Sequence, residues 1–131
     1  MQWTESGKTQ MPVSVLLVED EILISHLVAD VLAEHGFEVH EAATADEALR
    51  FLDAGGAVDV MFTDVNLPGS MDGAQLAQRA RERRPELPIV YASGRYASMD
   101  FGPLVPRSIF VAKPYRPEEI CTLLQRLTAP H

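Results

Sequence analysis

Apolar positions in this chain fall into short runs. In Val13–Val18 and around Val60–Phe62 consecutive residues are apolar, so neither face of the strand expects water. That pattern predicts strands of a parallel sheet covered on both sides. The first run stops at Glu19-Asp20-Glu21, and the stretch Val58–Asp64 ends on Asp64 before the turn residues Leu67-Pro68-Gly69-Ser70. Leu87–Ala92 and Ser108–Ala112 predict two further strands, and the short alternating segment Phe37–Glu41 predicts a strand at an edge.

Helical spacing fills the gaps. Ile24, Leu27, Val28, Val31 and Leu32 form one stripe of a helix over Glu21–His35, closed by Gly36. Thr44-Ala45-Asp46-Glu47 is a capping-box pattern, and the helix it starts turns Ala48, Leu49 and Leu52 inward and stops at Gly55-Gly56. Asp72 and Gln75 form a second such pair, with Leu76, Ala77 and Ala80 inward and the basic run Arg81–Arg84 as a solvated helix end before Pro85. Pro117, with Glu118 and Glu119 in the first turn, begins a last helix whose stripe is Ile120, Leu123, Leu124 and Leu127. The segment Arg95–Pro106 is broken by Gly102, Pro103 and Pro106, so a fourth helix there is short or irregular.

Regular alternation of strand and helix predicts an α/β fold, a doubly wound, five-stranded parallel sheet with helices on both faces. The common strand order for such a sheet is 2-1-3-4-5. The expected organisation is an N-terminal tail over 1–12, one domain over 13–128 and a C-terminal tail over 129–131.

Composition narrows the function. The 131 residues suit one domain, and a formal net charge of -8 argues against nucleic acid and anionic membrane as partners. No apolar run approaches the ~18 residues of a membrane span. The N-terminal residues have no apolar core of a secretory signal. The single cysteine, Cys121, cannot pair within the chain, which suits a reducing cytoplasm, and it reads as a small core residue. His26, His35, His40 and His131 show no metal spacing.

Candidate chemistry lies at the strand ends. In a 2-1-3-4-5 sheet Glu19, Asp20, Asp64, Ser93 and Lys113 converge on one rim. Clustered carboxylates repel one another, and a hard cation such as Mg2+ relieves that with oxygen ligands while neutralising incoming phosphoryl oxygens. Asp64 is suited to act as a carboxylate nucleophile, Lys113 to hold a phosphate oxygen as a point charge, and Ser93 to donate a hydrogen bond to another. Phosphoryl transfer asks chiefly for such positioning and charge stabilisation.

These residues stand in Leu17-Val18-Glu19-Asp20-Glu21, Thr63-Asp64-Val65-Asn66-Leu67-Pro68 with Met71-Asp72-Gly73, Ala92-Ser93-Gly94 and Lys113-Pro114-Tyr115. Together, from about Val13 to Leu127, they resemble the receiver domain of bacterial two-component response regulators, a flavodoxin-like fold. The resemblance implies that Asp64 accepts a phosphoryl group from a histidine kinase or a histidine phosphotransfer protein. It implies Mg2+ held by Asp20, Asp64 and the Asn66 backbone carbonyl, with Glu19 acting indirectly. It implies Ser93 as the switch hydroxyl, Phe110 as the switch aromatic, a further switching role for Tyr96 and a Lys113–Pro114 peptide that is often cis. It implies a self-phosphorylating and dephosphorylating acceptor rather than a dedicated enzyme, which passes its state to a downstream protein partner.

The chain departs from the family in two places. The turn Leu67-Pro68-Gly69-Ser70-Met71-Asp72-Gly73 is one residue longer than the common form, and the segment before the fifth strand is broken. Tyr91-Ala92-Ser93-Gly94-Arg95-Tyr96 is similar to the Phe-Ala-Thr-Gly-x-Tyr pattern of certain single-domain receivers. The alternative reading is a receiver-like interaction module that works without phosphorylation. A flavin-type phosphate site is disfavoured by the acids after the first strand, and a haloacid-dehalogenase-like phosphatase by Asn66 where a second aspartate belongs.

Overall fold

A computed structural model describes residues 12–94 and 104–129. Residues 1–11 of the expected tail over 1–12, residues 130–131 of that over 129–131, and residues 95–103 of the broken segment, Tyr96 among them, lie outside the described residues. Each apolar run forms a strand: β1 (Ser14–Val18), β2 (Glu38–Ala42), β3 (Val60–Asp64), β4 (Ile89–Ser93) and β5 (Ser108–Ala112). The helices are α1 (Ile22–Glu34), α2 (Ala45–Asp53), α3 (Gly73–Arg83) and α4 (Pro117–Thr128). All strand pairs are parallel and the order is β2-β1-β3-β4-β5. The fold is therefore the doubly wound one that the alternation predicts, with β2 and β5 at the edges.

Alternation along each strand divides the core in two. Leu16, Val18, Met61, Ile89 and Tyr91 face α2 and α3, where they meet Leu49, Leu52, Leu76 and Ala80. Val15, Leu17, Val60, Phe62 and Val90 face α1 and α4, where they meet Val28, Leu32, Ile120 and Leu124. Every residue of β1, β3 and β4 is buried. Each Leu or Val so covered is worth about 1.5–3 kcal/mol relative to exposure. Cys121 is a buried member of the second cluster.

Local chemistry sets the helix boundaries. Gly36 takes φ 91°, the left-handed conformation, immediately after α1 and its cap residue His35. The Thr44 hydroxyl accepts the Glu47 N–H at 3.1 Å. The Glu47 carboxylate reaches one residue beyond the expected partner and accepts the Ala43 N–H at 2.8 Å. Asp72 and Gln75 complete the reciprocal box at the start of α3, at 2.9 and 3.0 Å. In α4 the Glu119 carboxylate accepts the Arg116 N–H at 3.0 Å.

Two expectations need correction. The buried face of α1 is Ser25, Val28, Ala29 and Leu32, and Leu27 is 57% exposed. Val28 and Leu32 are buried and Ile24 and Val31 pack against the core as the stripe predicts, so of the stripe Leu27 is the residue that turns to solvent. The arginines closing α3 are not merely solvated. Arg81 Nε donates to the Leu87 carbonyl at 2.6 Å, and Arg84 donates to the carbonyls of Leu52 and Gly56 at 3.1 and 3.0 Å. Arg84 thereby ties the end of α3 to the end of α2 and the turn that follows it.

Candidate functional site

The parallel sheet brings the ends of β1, β3, β4 and β5 to one rim, and the candidate residues stand there. Glu19 follows β1 and is 4% exposed; Asp64 ends β3 and is 8% exposed; Ser93 ends β4 and is fully buried. Asp20 is exposed. One carboxylate oxygen from each of Glu19, Asp20 and Asp64 lies within 4.8 Å of the other two. Lys113, immediately after β5, reaches across this rim. Its Nζ donates to Asp64 Oδ2 at 3.2 Å and to Glu19 Oε1 at 3.5 Å.

Backbone hydrogen bonds fix each part. Glu19 N–H donates to the Ala42 carbonyl at 3.0 Å, and Glu19 Oε2 accepts the Glu21 N–H at 3.0 Å. Val65 N–H donates to the Ala92 carbonyl at 2.9 Å, which holds the end of β3 against β4. Asn66 N–H donates to Asp64 Oδ1 at 3.3 Å, so both oxygens of that carboxylate have a partner. Lys113 N–H donates to the Ser93 carbonyl at 2.9 Å, so β4 and β5 pair up to the rim. The Lys113–Pro114 peptide is cis.

Electrostatics follow from burial. Burial raises the Asp64 carboxyl above its ordinary range, although Lys113 and the Asn66 N–H pull it down. Burial raises Glu19 likewise, against the Glu21 N–H and Lys113. For Lys113, burial favours the neutral amine, but Asp64 and Glu19 more than reverse this and leave the ammonium with a raised pKa. Two buried carboxylates and an exposed third share one amine. A hard divalent cation fits that imbalance, because oxygen ligands of this kind are what such ions take.

Sequence reasoning missed the part played by two neighbours. Gly73 is the first residue of α3, and its N–H donates to the Val65 carbonyl at 2.7 Å. A Cβ there would collide with the Asp64 carbonyl oxygen and lie 2.8 Å from Val65 Cα. Only glycine lets the helix begin this close to the acid-bearing strand. Its presence in Met71-Asp72-Gly73 was the available signal, but closeness to a strand is a tertiary fact. Tyr115 stands edge-on to Phe62 with centroids 5.5 Å apart. Burial, then Glu19, pushes its phenol up to about 12. It lines an apolar groove of about 450 Å³ with Leu27, Val28, Pro114 and Pro117, beside Lys113. Among the switch candidates, Phe110 is half-buried, sits opposite Tyr91 in register and packs on the α2/α3 side of the core.

Comparison with known proteins follows the same lines. Residues 15–125 match the family described as the response regulator receiver domain. The chain is 34% identical over 118 residues to the sensor kinase CckA of Brucella abortus, covering 87% of this chain and 12% of that protein. It is 31% identical over 115 residues to the nitrogen assimilation regulatory protein NtrX of Azorhizobium caulinodans, covering 86% of this chain and 25% of that protein. The crystal structure of a response regulator receiver protein from Sinorhizobium medicae superimposes with a TM-score of 0.81 at 34% identity, covering 89% of this chain and 94% of that one.

Proposed function

This chain belongs to the response regulator receiver domain family, and on that premise we propose that Asp64 is its phosphoryl acceptor. Receiver domains take their phosphoryl group from histidine kinases or phosphotransfer proteins and bind Mg2+ at an acidic cluster. The observation that carries the reading is the buried Asp64 carboxylate, 3.2 Å from the Lys113 ammonium and clustered with Glu19 and Asp20.

An oxygen of Asp64 attacks the phosphorus of a phosphohistidine. The new O–P bond forms as the N–P bond breaks, and the imidazole leaves with the electron pair and takes up a proton. Asp20, Asp64 and the Asn66 carbonyl are the ligands we assign to Mg2+, with Glu19 behind them. The bound cation supplies charge neutralisation for the phosphoryl oxygens. Lys113 exchanges its contact with the Asp64 carboxylate for one with a phosphoryl oxygen, and Ser93 donates to another. The Ser93 movement and repacking of Phe110 then alter the β5 face, to which a downstream protein binds.

Ile22, Leu23 and Leu27 of α1 are exposed, and Leu27 lines the apolar groove that opens next to Lys113. Clustered apolar exposure of this kind marks a contact surface, and it supports docking of the phosphohistidine-bearing protein there. Among the described residues no helix is long and apolar enough to cross a membrane. We place the domain in the cytoplasm, as is usual for receivers.

The test is incubation with Mg2+ and acetyl phosphate, read as an added phosphoryl mass on the intact protein. Wild type should gain one such mass and Asp64→Ala none. Equal labelling of the variant, or no labelling of wild type alongside a receiver that labels, overturns the proposal.

A further inference from the structure

Tyr91 lies in the middle of β4 and heads the fully buried side chains by size. A buried phenol needs a partner for its hydroxyl. Tyr91 finds its partner outside its own strand, in the segment leading into β5. Val105 N–H donates to the phenol oxygen at 3.2 Å. The Ser108 hydroxyl in turn donates to the Val105 carbonyl at 2.7 Å.

Both polar groups of Val105 are thereby held, the N–H by the Tyr91 oxygen and the carbonyl by the Ser108 hydroxyl.

The placement gives the ring a consequence. Tyr91 and Ser93 are two apart on one strand and so share a face of it. Tyr91 is also the register partner of Phe110, and Leu104, Val105 and Phe110 pack on the same side of the core. We infer that Tyr91 is a positioning residue that makes residues 104–108 move with the end of β4. The inference rests on the phosphorylation of Asp64 proposed above. When Ser93 is drawn to a phosphoryl group, the rigid Tyr91 ring, held at its far end by Val105, carries the displacement to the segment that leads into the edge strand.

Tyr91→Phe keeps the ring and removes the oxygen. Wild type and variant are incubated with Mg2+, with and without acetyl phosphate. Phosphoryl mass is recorded, and amide exchange is followed in peptides spanning 104–110. Both proteins should label equally. Without acetyl phosphate, exchange at Val105 should be about fivefold to tenfold faster in the variant, as loss of one hydrogen bond implies. The phosphorylation-dependent change in 104–110 that wild type displays should shrink by roughly threefold or more in the variant once the strut is cut. Ser108→Ala removes the hydrogen bond that holds the Val105 carbonyl and should act in the same direction, which guards against a folding defect in Tyr91→Phe. An equal phosphorylation-dependent change in wild type and both variants overturns the role of Tyr91 and leaves the acceptor reading standing. So does a labelled wild type with no change in 104–110. Absence of any phosphoryl mass on wild type overturns the acceptor reading and this inference with it.

Discussion

Gly73→Ala adds one methyl group at the point where α3 starts against the end of β3. The new Cβ would lie 2.8 Å from Val65 Cα and 3.0 Å from the Asp64 carbonyl carbon, and closer still to the Asp64 carbonyl oxygen. Carbon atoms not bonded to each other rest about 3.5–4.0 Å apart, so helix and strand must separate by roughly 1 Å. No flexible side chain can yield in their place, since all three obstructing atoms are backbone. Separation also lengthens the 2.7 Å hydrogen bond from Gly73 N–H to the Val65 carbonyl. Overpacking of this kind costs about 1–3 kcal/mol. Alanine's better helix propensity returns at most ~1 kcal/mol, leaving a net loss of about 1–2 kcal/mol. For a domain of this size that lowers Tm by about 4–8 °C. The backbone that moves is the one carrying Asp64, so labelling by acetyl phosphate should slow by about 10–100-fold. Thermal melts and initial labelling rates measure both effects. A Tm within about 1 °C of wild type would refute the steric reasoning, because a 1 kcal/mol loss already moves it further.

Burial raises Glu19 and Asp64, so their protonated forms favour the fold. Metal-free protein should hold this contribution below the unfolded values of 4.5 and 3.8 and lose it as pH rises through the raised folded values. Urea unfolding across that range checks the sign, and Asp64→Asn should flatten the slope; an unchanged slope contradicts the assignment. Mg2+ should restore stability at neutral pH, by mass action on the deprotonated cluster, and lose its effect near pH ~4. Arg84→Ala removes both hydrogen bonds to the Leu52 and Gly56 carbonyls and should cost about 2 kcal/mol in urea unfolding, with Arg84→Lys recovering less than half. Thr44→Ala should cost about 1 kcal/mol and Thr44→Ser little, since only the first loses the acceptor for the Glu47 N–H.

What could be read from the sequence was whatever is written in nearest neighbours and strand order. Val60-Met61-Phe62 announces a strand without a wet face, and Asp64 after it inherits its place from the sheet. Thr44 and Asp72 announce helix starts because capping is settled within four residues. Glu19, Asp20, Asp64, Ser93 and Lys113 could be gathered because a parallel sheet puts all strand ends of one kind on one rim. What stayed hidden depends on how elements lie against each other. Leu27 reads as core by spacing, yet it stands exposed at the groove beside Lys113, where no other element among the described residues covers the helix edge. Arg81 and Arg84 read as a solvated end because the carbonyls they reach belong to distant segments. Tyr91 carried no local sign of its bond to Val105, fourteen residues on and one strand over.

The distances along the chain between partners at the site give it a place in time. Lys113 meets Glu19 across 94 residues and Asp64 across 49. Contacts so far apart in sequence form late, after the loops between them have closed. During synthesis the acids emerge and can pack while the amine is still to be added. An unfinished chain carries these carboxylates without the Lys113 countercharge. If Asp64 is the acceptor proposed above, competence to receive a phosphoryl group waits on the docking of the last strand.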